Sequence, residues 1–345
     1  MMQEKSIEKI SPKYRFLDAE AIKPKDDAYH GNINLFDVEW WYFDAVFDND
    51  YSIHIGFRTY HIGKSGFLQS RINVYKGGKA QFEKLKINLF SNVLISEKEL
   101  KIIINGQTVV NIDSDHYNKT GEWKYTIKLT IKDISIDLTF IGTTEGWKVE
   151  TDTTCWTVAL PKAKVEGYLK IGNKKLEAKG IGYHDHNWGY SASTAFGTIG
   201  WYWGRITGNN LNLTWAKTMK NIYEGDLLSI LNYDKTKNTD EKTYYSIHPD
   251  DVIIKPKNII KKKGKIIPTE FEIKIKSKNK DSKFPIEVDL KMNIIDIQHS
   301  RIFIANYWRY HVATSGLIKF DNISEILENK PQIIEFLCFK SKIYY

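Results

Sequence analysis

Apolar and polar residues alternate with a period of two along most of the chain from about residue 37 onward. In "KYTIKLTIKDISIDLTF" (124–140), Ile127 and Leu129 fall on one side of an extended chain, and Lys128 and Thr130 fall on the other. This alternation is typical of an antiparallel strand with one solvated face. Short polar stretches such as "DND", "NGQ" and "GNN" separate the runs and predict hairpin turns. The pattern therefore predicts an all-β protein built as barrels or sandwiches.

Helical periodicity is nearly absent. The best helix candidate is "DNISEILEN" (321–329), where Asn322 or Ser324 would serve as the N-cap. We therefore expect at most one short helix, near the C-terminal end.

The chain has 345 residues, a comfortable length for two domains of ordinary size. Two similar aromatic stretches support two β-domains of similar build. The stretch "EWWYFDAVF" (39–47) begins one strand-rich half, and "GWYWGRITG" (200–208) begins the other. We place the boundary in the small-residue stretch "YSASTAFGTIG" (190–200). The predicted domains are 1–195, with an irregular extension over about 1–30, and 196–345.

The net charge is +8, but only six of the fifty basic residues are arginine. The lysines are scattered along alternating strands and indicate a solvated surface, whereas a nucleic-acid binder usually concentrates arginine and exposed aromatic residues on one face. The most basic run, "KPKNIIKKKGKI" (255–266), is explained by a lysine-rich hairpin edge that resists strand-to-strand aggregation. We expect no nucleic-acid partner.

Cys155 and Cys338 lie far apart, each in an apolar stretch, without a metal-binding spacing or a disulfide framework. Buried free thiols in a reducing compartment are the simplest interpretation. No run of eighteen apolar residues exists, and the N-terminal residues lack an apolar signal core, so we expect no transmembrane segment and no signal peptide. We expect a cytoplasmic location; peripheral membrane contact and the oligomeric state stay open.

The stretch "EWWYFDAVF" (39–47) is followed by a short turn and a second strand. Pairing across that turn places Asp44 opposite His54 and Trp40 opposite Arg58, which predicts an ion pair and a cation–π contact. An aromatic core strand with capped polar ends is the alternative.

The stretch "GIGYHDHNWGY" (180–190) places two histidines, an aspartate, an asparagine and a tryptophan in five consecutive positions. On a strand, His184, His186 and Trp188 share one face. The opposite face carries Tyr183, Asp185 and Asn187.

Three roles are open for these histidines. A His-x-His pair could hold a metal with further ligands, but a third and fourth ligand are not obvious, and the distant His54 and His61 are possible partners at most. A structural histidine would donate to a carbonyl or to Asp185. A catalytic or ligand-orienting histidine would titrate near neutrality beside an indole that stabilises a developing cation. We expect no metal.

Two further aromatic stretches carry arginine. In "GWYWGRITG", Trp201, Trp203 and Arg205 share one strand face. Half of the six arginines occur within aromatic clusters, which favours specific pairing over solubility, although stacking within a domain interface is the alternative. In "ANYWRYHV" (305–312), Tyr307 and Arg309 share one face, and Trp308 and Tyr310 share the other.

Together, "EWWYFDA", "GIGYHDHNWG" and "WYWGRI" resemble the CrtC/AttH lipocalin-like superfamily. This group includes carotenoid 1,2-hydratases, AttH-type proteins and the more distant fungal lipocalin-like Diels–Alderases. The resemblance spans most of the chain, from about Gly31 to the final strands. It implies two lipocalin-like antiparallel β-barrel or sandwich domains packed together, with the motif residues around a cavity near their junction. It also implies hydrophobic ligands such as polyenes, terpenoids or polyketides.

By this resemblance, His186 and Trp188 match the functional histidine and tryptophan of the hydratases. A further tyrosine and aspartate of the hydratases should fall near "LNLTWA" (211–216), where this chain has no Tyr-x-Asp. The departure weakens carotenoid hydration, because the acid that protonates the alkene is missing. Asp185 or Glu39 could substitute as a carboxylic acid whose pKa is raised by burial.

We therefore expect a cofactor-independent enzyme that cyclises, isomerises or hydrates a hydrophobic unsaturated substrate, with the missing Tyr-x-Asp favouring cyclisation over hydration. The alternatives are a lipocalin-like carrier of a hydrophobic small molecule and a purely structural or interaction module. The catalytic candidates are His186, Trp188, Asp185 and Glu39. The substrate-binding candidates are Trp40, Trp41, Tyr42, Arg58, His184, Trp201, Trp203 and Arg205.

Overall fold

A computed structural model describes residues 13–31, 36–152, 154–191, 197–221, 224–234, 242–277, 285–302 and 305–339. These residues form an all-β protein with two large sheets, and the all-β prediction is confirmed. No helix among the described residues is long and apolar enough to cross a bilayer.

The first sheet has fourteen strands. Along its main path the order is β6-β5-β4-β3-β15-β13-β11-β10-β9-β8-β7, and the sheet curls so that β6 approaches β10. Its strands are β2 (Glu20–Ala21), β3 (Val38–Phe47), β4 (Tyr51–Ile62), β5 (Ser65–Lys76), β6 (Lys79–Leu89), β7 (Val93–Ile95), β8 (Lys101–Ile104), β9 (Gln107–Ile112), β10 (Lys124–Ile131), β11 (Ile134–Gly142), β12 (Trp147–Glu150), β13 (Cys155–Ile171), β14 (Lys174–Glu177) and β15 (Gly180–Tyr190).

The second sheet has ten strands, in the order β1-β18-β17-β16-β26-β25-β24-β23-β20, with β19 beside β18. Its strands are β1 (Lys13–Arg15), β16 (Gly200–Thr207), β17 (Leu211–Met219), β18 (Glu224–Tyr233), β19 (Tyr244–Ser246), β20 (Val252–Lys257), β23 (Glu270–Lys276), β24 (Ile286–Ile302), β25 (Ala305–Phe320) and β26 (Ile323–Cys338). The lysine-rich run forms a separate hairpin, as predicted, from β21 (Ile260–Lys262) and β22 (Lys265–Ile267).

The residues of β1, which the sequence analysis assigned to the first domain, pair in parallel with β18 of the second sheet. Apart from β1, every strand of the second sheet begins at or after residue 200. The division into two domains stays a prediction. Cys155 and Cys338 are buried and form no disulfide among the described residues, so the prediction of buried thiols is confirmed.

The helix predicted over 321–329 is wrong, because this stretch belongs to a hairpin of β25 with β26. Burial alternates along this stretch, but a charged residue is buried and an apolar one is exposed: Glu325 is buried and Ile326 is exposed. The Glu325 carboxylate accepts backbone N–H groups of the 209–211 turn, which compensates for its burial. The sequence shows the apolar residues but not these partners.

The short helices of the described residues lie elsewhere. The α-helix Ser114–Thr120 begins after Asp113, whose carboxylate accepts the His116 N–H at 3.0 Å, and ends at Gly121 in the left-handed conformation. The 3-10 helices are Pro24–Asp27, Phe90–Asn92 and Pro249–Asp251.

Each sheet encloses its own apolar core. A third, aromatic cluster joins the two sheets and includes Tyr42 and Tyr183 from the first and Trp203 and Ile333 from the second. Direct hydrogen bonds also cross this junction, among them Trp147 Nε1 to Asn232 Oδ1 at 3.1 Å. The alternation of side chains along β3, β15 and β16 therefore places one face of each strand in its own core and the other face at the junction.

Candidate functional site

A cavity of about 160 Å³ lies at the junction, with walls from β3, β4 and β15 of the first sheet and β16, β17 and β26 of the second. The partly exposed side chains of Trp40, Arg58, Tyr190 and Trp201 stand in its wall. An apolar cavity of about 150 Å³ holds a ring the size of benzene, so this one has room for a small hydrophobic molecule or part of a longer one. The aromatic residues of the lining are Trp40, Trp41, Tyr42, Phe57, Trp156, Tyr190, Trp201, Trp203 and Tyr307.

Asp185 is a buried carboxyl group in this wall. Its Oδ2 accepts hydrogen bonds from Tyr183 Oη at 2.8 Å and from Trp156 Nε1 at 3.0 Å, and its Oδ1 accepts one from Asn187 Nδ2 at 3.1 Å. Burial raises the pKa of Asp185 to about 7, against the opposing effect of the hydrogen bonds from Trp156 and Tyr183. A carboxyl group with this pKa is available as an acid at neutral pH.

His186 lies on the other side of β15 from the cavity. Its Nε2 is 2.8 Å from Glu39 Oε1, its Nδ1 is 3.6 Å from Asp27 Oδ1, and its ring stacks on Trp41 with 4.6 Å between centroids. The predicted faces of β15 are confirmed, but the expectation that the imidazole looks into the hollow is wrong. The reason is the period of the strand: because Asp185 faces the junction, its neighbour must face the core of the first sheet.

Trp188 is half-buried and stacks on His30 at 4.2 Å, outside the lining of the cavity. The indole of the central motif therefore contacts the segment that precedes β3 instead of the hollow. The expectation that it lines the cavity is wrong as well.

Glu39 lies on the same side as His186. Burial by itself would raise the pKa of Glu39, but hydrogen bonds from His186 and His30 outweigh burial and hold it at about 2. Glu39 is therefore a carboxylate at neutral pH. Asp185 is the one of the two predicted acids that can carry a proton there.

His184 is also outside the cavity lining, although it was predicted to bind substrate. Its Nδ1 is 2.9 Å from the carbonyl oxygen of Tyr42, its Nε2 is 3.0 Å from Asp27 Oδ2, and its ring stacks on Phe43 at 3.7 Å. These contacts match the structural role that the sequence analysis left open, since they fix the turn around Asp27 onto the first sheet.

The pairing predicted for β3 and β4 is confirmed: Asp44 lies opposite His54, and Trp40 lies opposite Arg58. The Arg58 Cζ is 5.2 Å from the Trp40 ring centroid, so the cation–π contact is present. The prediction of an Asp44–His54 ion pair is wrong. Asp44 binds Arg205 instead, with Nε to Oδ1 at 2.9 Å, while burial lowers the pKa of His54 well below its usual value and keeps the ring neutral.

The arginines of the aromatic clusters hold the two sheets together. Arg205 is buried, bridges to Asp44 across the junction and does not line the cavity, in contrast to Trp201 and Trp203 on the same face of β16. Arg309 Nη2 donates to Tyr42 Oη at 2.6 Å and lies 2.8 Å from Glu335 Oε1. The interface alternative thus describes both arginines. The predicted substrate-binding residues that do line the cavity are Trp40, Tyr42, Arg58, Trp201 and Trp203. Trp41 borders the cavity as well, but its ring lies in the core of the first sheet, stacked on His186.

The sequence analysis missed Glu335, a second buried carboxyl group of the cavity wall, whose pKa is raised by burial. A signal for it exists, because it is the one charged residue in the apolar run "QIIEFLCF" (332–339). Trp156 and Tyr307 were also missed. Trp156 is on β13, and its surroundings in the sequence do not distinguish it from an ordinary core residue.

The described residues also contain one group that could ligate a metal. The group consists of His30, Glu39 and His186, and their three ligand atoms lie within 4.8 Å of one another. No local sequence pattern indicates this group, because Glu39 is 147 positions from His186.

No family model and no curated protein matches the sequence. Solved structures do match. A candidate AttH protein from Nitrosomonas europaea superposes with a TM-score of 0.63 at 12% identity, covering 93% of this chain and 97% of that one. CghA superposes with a TM-score of 0.61 at 9% identity, covering 96% and 100%, respectively.

Kievitone hydratase from Nectria haematococca superposes with a TM-score of 0.54 at 12% identity, covering 95% of this chain and 99% of that one. These proteins are similar to this chain along nearly its whole length. The chain therefore has an all-β, lipocalin-like fold, and the resemblance to AttH- and CrtC-like proteins is confirmed as a likeness of fold. At least one hydratase, kievitone hydratase, has a similar fold.

Proposed function

We propose that the chain is a cofactor-independent enzyme that binds a hydrophobic unsaturated molecule in the cavity at the junction and transforms it with Asp185 as the proton donor. The reaction class is cyclisation, isomerisation or hydration of a carbon–carbon double bond. The observation that carries the proposal is a single one: a carboxyl group with its pKa near 7 stands in an aromatic wall that a ligand can reach.

The hydrogen bonds of Asp185 suit this role. Oδ2 accepts from Tyr183 and Trp156, whereas Oδ1 accepts from Asn187 alone among the described residues. A proton is therefore held more readily on Oδ1. Its transfer to an alkene carbon leaves the Asp185 carboxylate, which the same three donors stabilise, and a carbocation on the substrate.

The aromatic wall suits the cation. Indole and phenol faces attract a positive charge within about 6 Å of the ring, and the side chains of Trp201, Trp203 and Tyr42 stand in the lining. In a hydration, water adds to the cation and its surplus proton returns to Asp185. In an isomerisation, the cation loses a proton to Asp185. In a cyclisation, a second double bond first attacks the cation and forms the ring bond, and the new cation then loses a proton to Asp185.

The similarity in fold to kievitone hydratase supports this class of reaction, because that protein is a hydratase. The absent Tyr-x-Asp in 211–216 keeps cyclisation and isomerisation ahead of hydration of a carotenoid. A carrier without catalysis is the competing function, and it predicts binding with the ligand returned unchanged.

The test is incubation in D2O with kievitone and with a panel of polyenes and terpenoid alcohols, followed by mass spectrometry. Hydration adds the mass of water, whereas cyclisation or isomerisation keeps the mass apart from any deuterium taken up. Product that carries deuterium on carbon is expected with the wild type. Asp185→Asn should lower its rate by at least 100-fold, because general acids contribute about 10²–10⁴-fold.

Asp137→Asn is the matched control, since Asp137 is a partly exposed carboxylate on β11, away from the cavity lining. It should react like the wild type. Recovery of bound, unlabelled ligand from the wild type would favour the carrier, and equal rates for Asp185→Asn and the wild type would remove Asp185 from the mechanism.

A further inference from the structure

His30, Glu39 and His186 converge on the side of β15 that faces away from the cavity. His186 Nε2 is 2.8 Å and His30 Nδ1 is 3.4 Å from the same atom, Glu39 Oε1. The three ligand atoms lie within 4.8 Å of one another. Two imidazoles and one carboxylate meeting at a point form a ligand set that zinc and other divalent transition metals take in proteins.

The spacing is close to that of a bound ion. Zinc bonds nitrogen and oxygen at about 2.0–2.2 Å, which places the ligands of a tetrahedral site roughly 3.3 Å apart. The His30–Glu39 distance already has this value, and the His186–Glu39 distance needs to open by only a few tenths of an ångström.

The surroundings complete the site. A metal-ligating histidine almost always donates its other ring N–H to a carboxylate, a carbonyl or water. Here His186 Nδ1 points at Asp27 Oδ1 at 3.6 Å, and both atoms are buried without a hydrogen-bond partner among the described residues. Gly31 N donates to Glu39 Oε2 at 3.3 Å and steadies the carboxylate.

An ion can reach this point from solvent. The His30 side chain is 24% exposed, whereas Glu39 and His186 are buried, so the group opens on the His30 side. Zinc sites with three protein ligands commonly take a water as the fourth ligand, and the exposed His30 side is where that water would lie.

We propose that His30, Glu39 and His186 bind one divalent transition metal ion, with zinc as the preferred occupant. The ion fastens the segment around His30 to β3 and β15, beneath the strand whose other face carries Asp185. It is separate from the chemistry of the cavity, because none of the three ligands lines the cavity.

The experiment is equilibrium dialysis of the untagged, full-length protein against Zn²⁺ after EDTA treatment, with metal measured by mass spectrometry and melting temperature measured in parallel. One zinc per chain and a higher melting temperature with zinc are expected. His30→Ala should weaken zinc binding at least tenfold and abolish the zinc-dependent rise. Because His30 is partly exposed, this variant is expected to fold.

Asp27→Asn should weaken zinc binding by about 10–100-fold, as loss of such supporting carboxylates does. His116→Ala is the control, since His116 lies in the short α-helix, where its partly exposed ring is 2.7 Å from Glu122, which follows the helix. It should bind zinc like the wild type. Equal zinc binding by the wild type and His30→Ala, or no zinc retained by the wild type, would overturn the proposal.

Discussion

Asp185 and His186 are consecutive residues whose side chains serve opposite sides of the same sheet. The Asp185 carboxyl group lines the cavity between the two sheets, while His186 Nε2 lies 2.8 Å from Glu39 Oε1 in the core of the first sheet. The string of polar residues in the middle of the chain therefore contributes to two candidate sites, one on each face of β15. Asp185 is the proposed proton donor in the cavity, and His186 is a ligand of the proposed metal site.

The raised pKa of Asp185 makes stability depend on pH. In the unfolded chain the carboxyl group ionises near its ordinary value of 3.8, whereas in the folded chain it keeps its proton until about pH 7. The folded state binds more protons in this window, so the contribution of Asp185 to stability is full below pH 4 and is lost as the pH rises to 7.

Asp185→Asn removes this dependence. Its unfolding free energy should rise relative to the wild type between pH 4 and pH 8 by about 4 kcal/mol, because the pKa rises from 3.8 to about 7 on folding and one pKa unit corresponds to about 1.4 kcal/mol. Urea denaturation at the two pH values measures the change. A difference that stays constant with pH would contradict an Asp185 pKa near 7.

His311 gives a second, opposite pH dependence. Burial, helped by Arg309 and Arg205, lowers its pKa to about 3, while the unfolded value is 6.5. The unfolded chain then binds the extra proton between pH 6.5 and 3, so stability falls as the pH falls through this window. At pH 5 the loss from this residue is about 2 kcal/mol.

His311→Gln keeps a hydrogen-bonding group near Ser52, which lies 3.2 Å from His311 Nε2. The variant should lose about 2 kcal/mol less than the wild type between pH 7.5 and pH 5, measured by urea denaturation. Identical losses in the two proteins would show that His311 titrates normally in the folded state.

The buried pair Asp44–Arg205 joins β3 to β16 across the junction, with both side chains essentially inaccessible. Removing one partner leaves the other charge buried and unpaired. Asp44→Ala or Arg205→Met alone should therefore lower the free energy of unfolding by about 3–5 kcal/mol. The double variant should cost clearly less than the sum of the two. A double-mutant cycle by chemical denaturation measures the coupling, and strictly additive effects would mean that the pair contributes nothing as a pair.

Ala216 lines the cavity from β17 and is almost fully buried. Ala216→Phe should fill part of the hollow and weaken binding of the fluorescent apolar probe 1-aminoanthracene at least tenfold. Ala313→Phe, on β25 outside the lining, is the control and should leave probe binding unchanged. Unaltered binding to Ala216→Phe would place the probe elsewhere.

The sequence was informative wherever a local pattern decides the structure. Alternation predicted the all-β class, the two faces of β15 and the register that brings Trp40 opposite Arg58. It failed where partners come from distant strands. Nothing local shows that Asp44 meets Arg205 instead of His54, or that Glu325 is buried against a turn.

The choice of which face of β15 meets the cavity was also beyond the sequence. Both faces carry polar and aromatic residues. The pattern therefore predicts which residues share a face of β15, but it does not predict which face lines the cavity. The contacts of Asp27 settle it: this carboxylate meets His184 and His186 on the inner face and leaves Asp185 for the junction.

The central claim is that Asp185 is a protonated acid near neutral pH inside a cavity that a hydrophobic ligand can enter. A ¹³C NMR pH titration of the aspartate carboxyl carbons, assigned through Asp185→Asn and repeated with saturating 1-aminoanthracene, tests it most directly. The account predicts a Cγ resonance that titrates near pH 7 and moves when the probe binds. A resonance that titrates below pH 5, or that does not respond to bound probe, would contradict it.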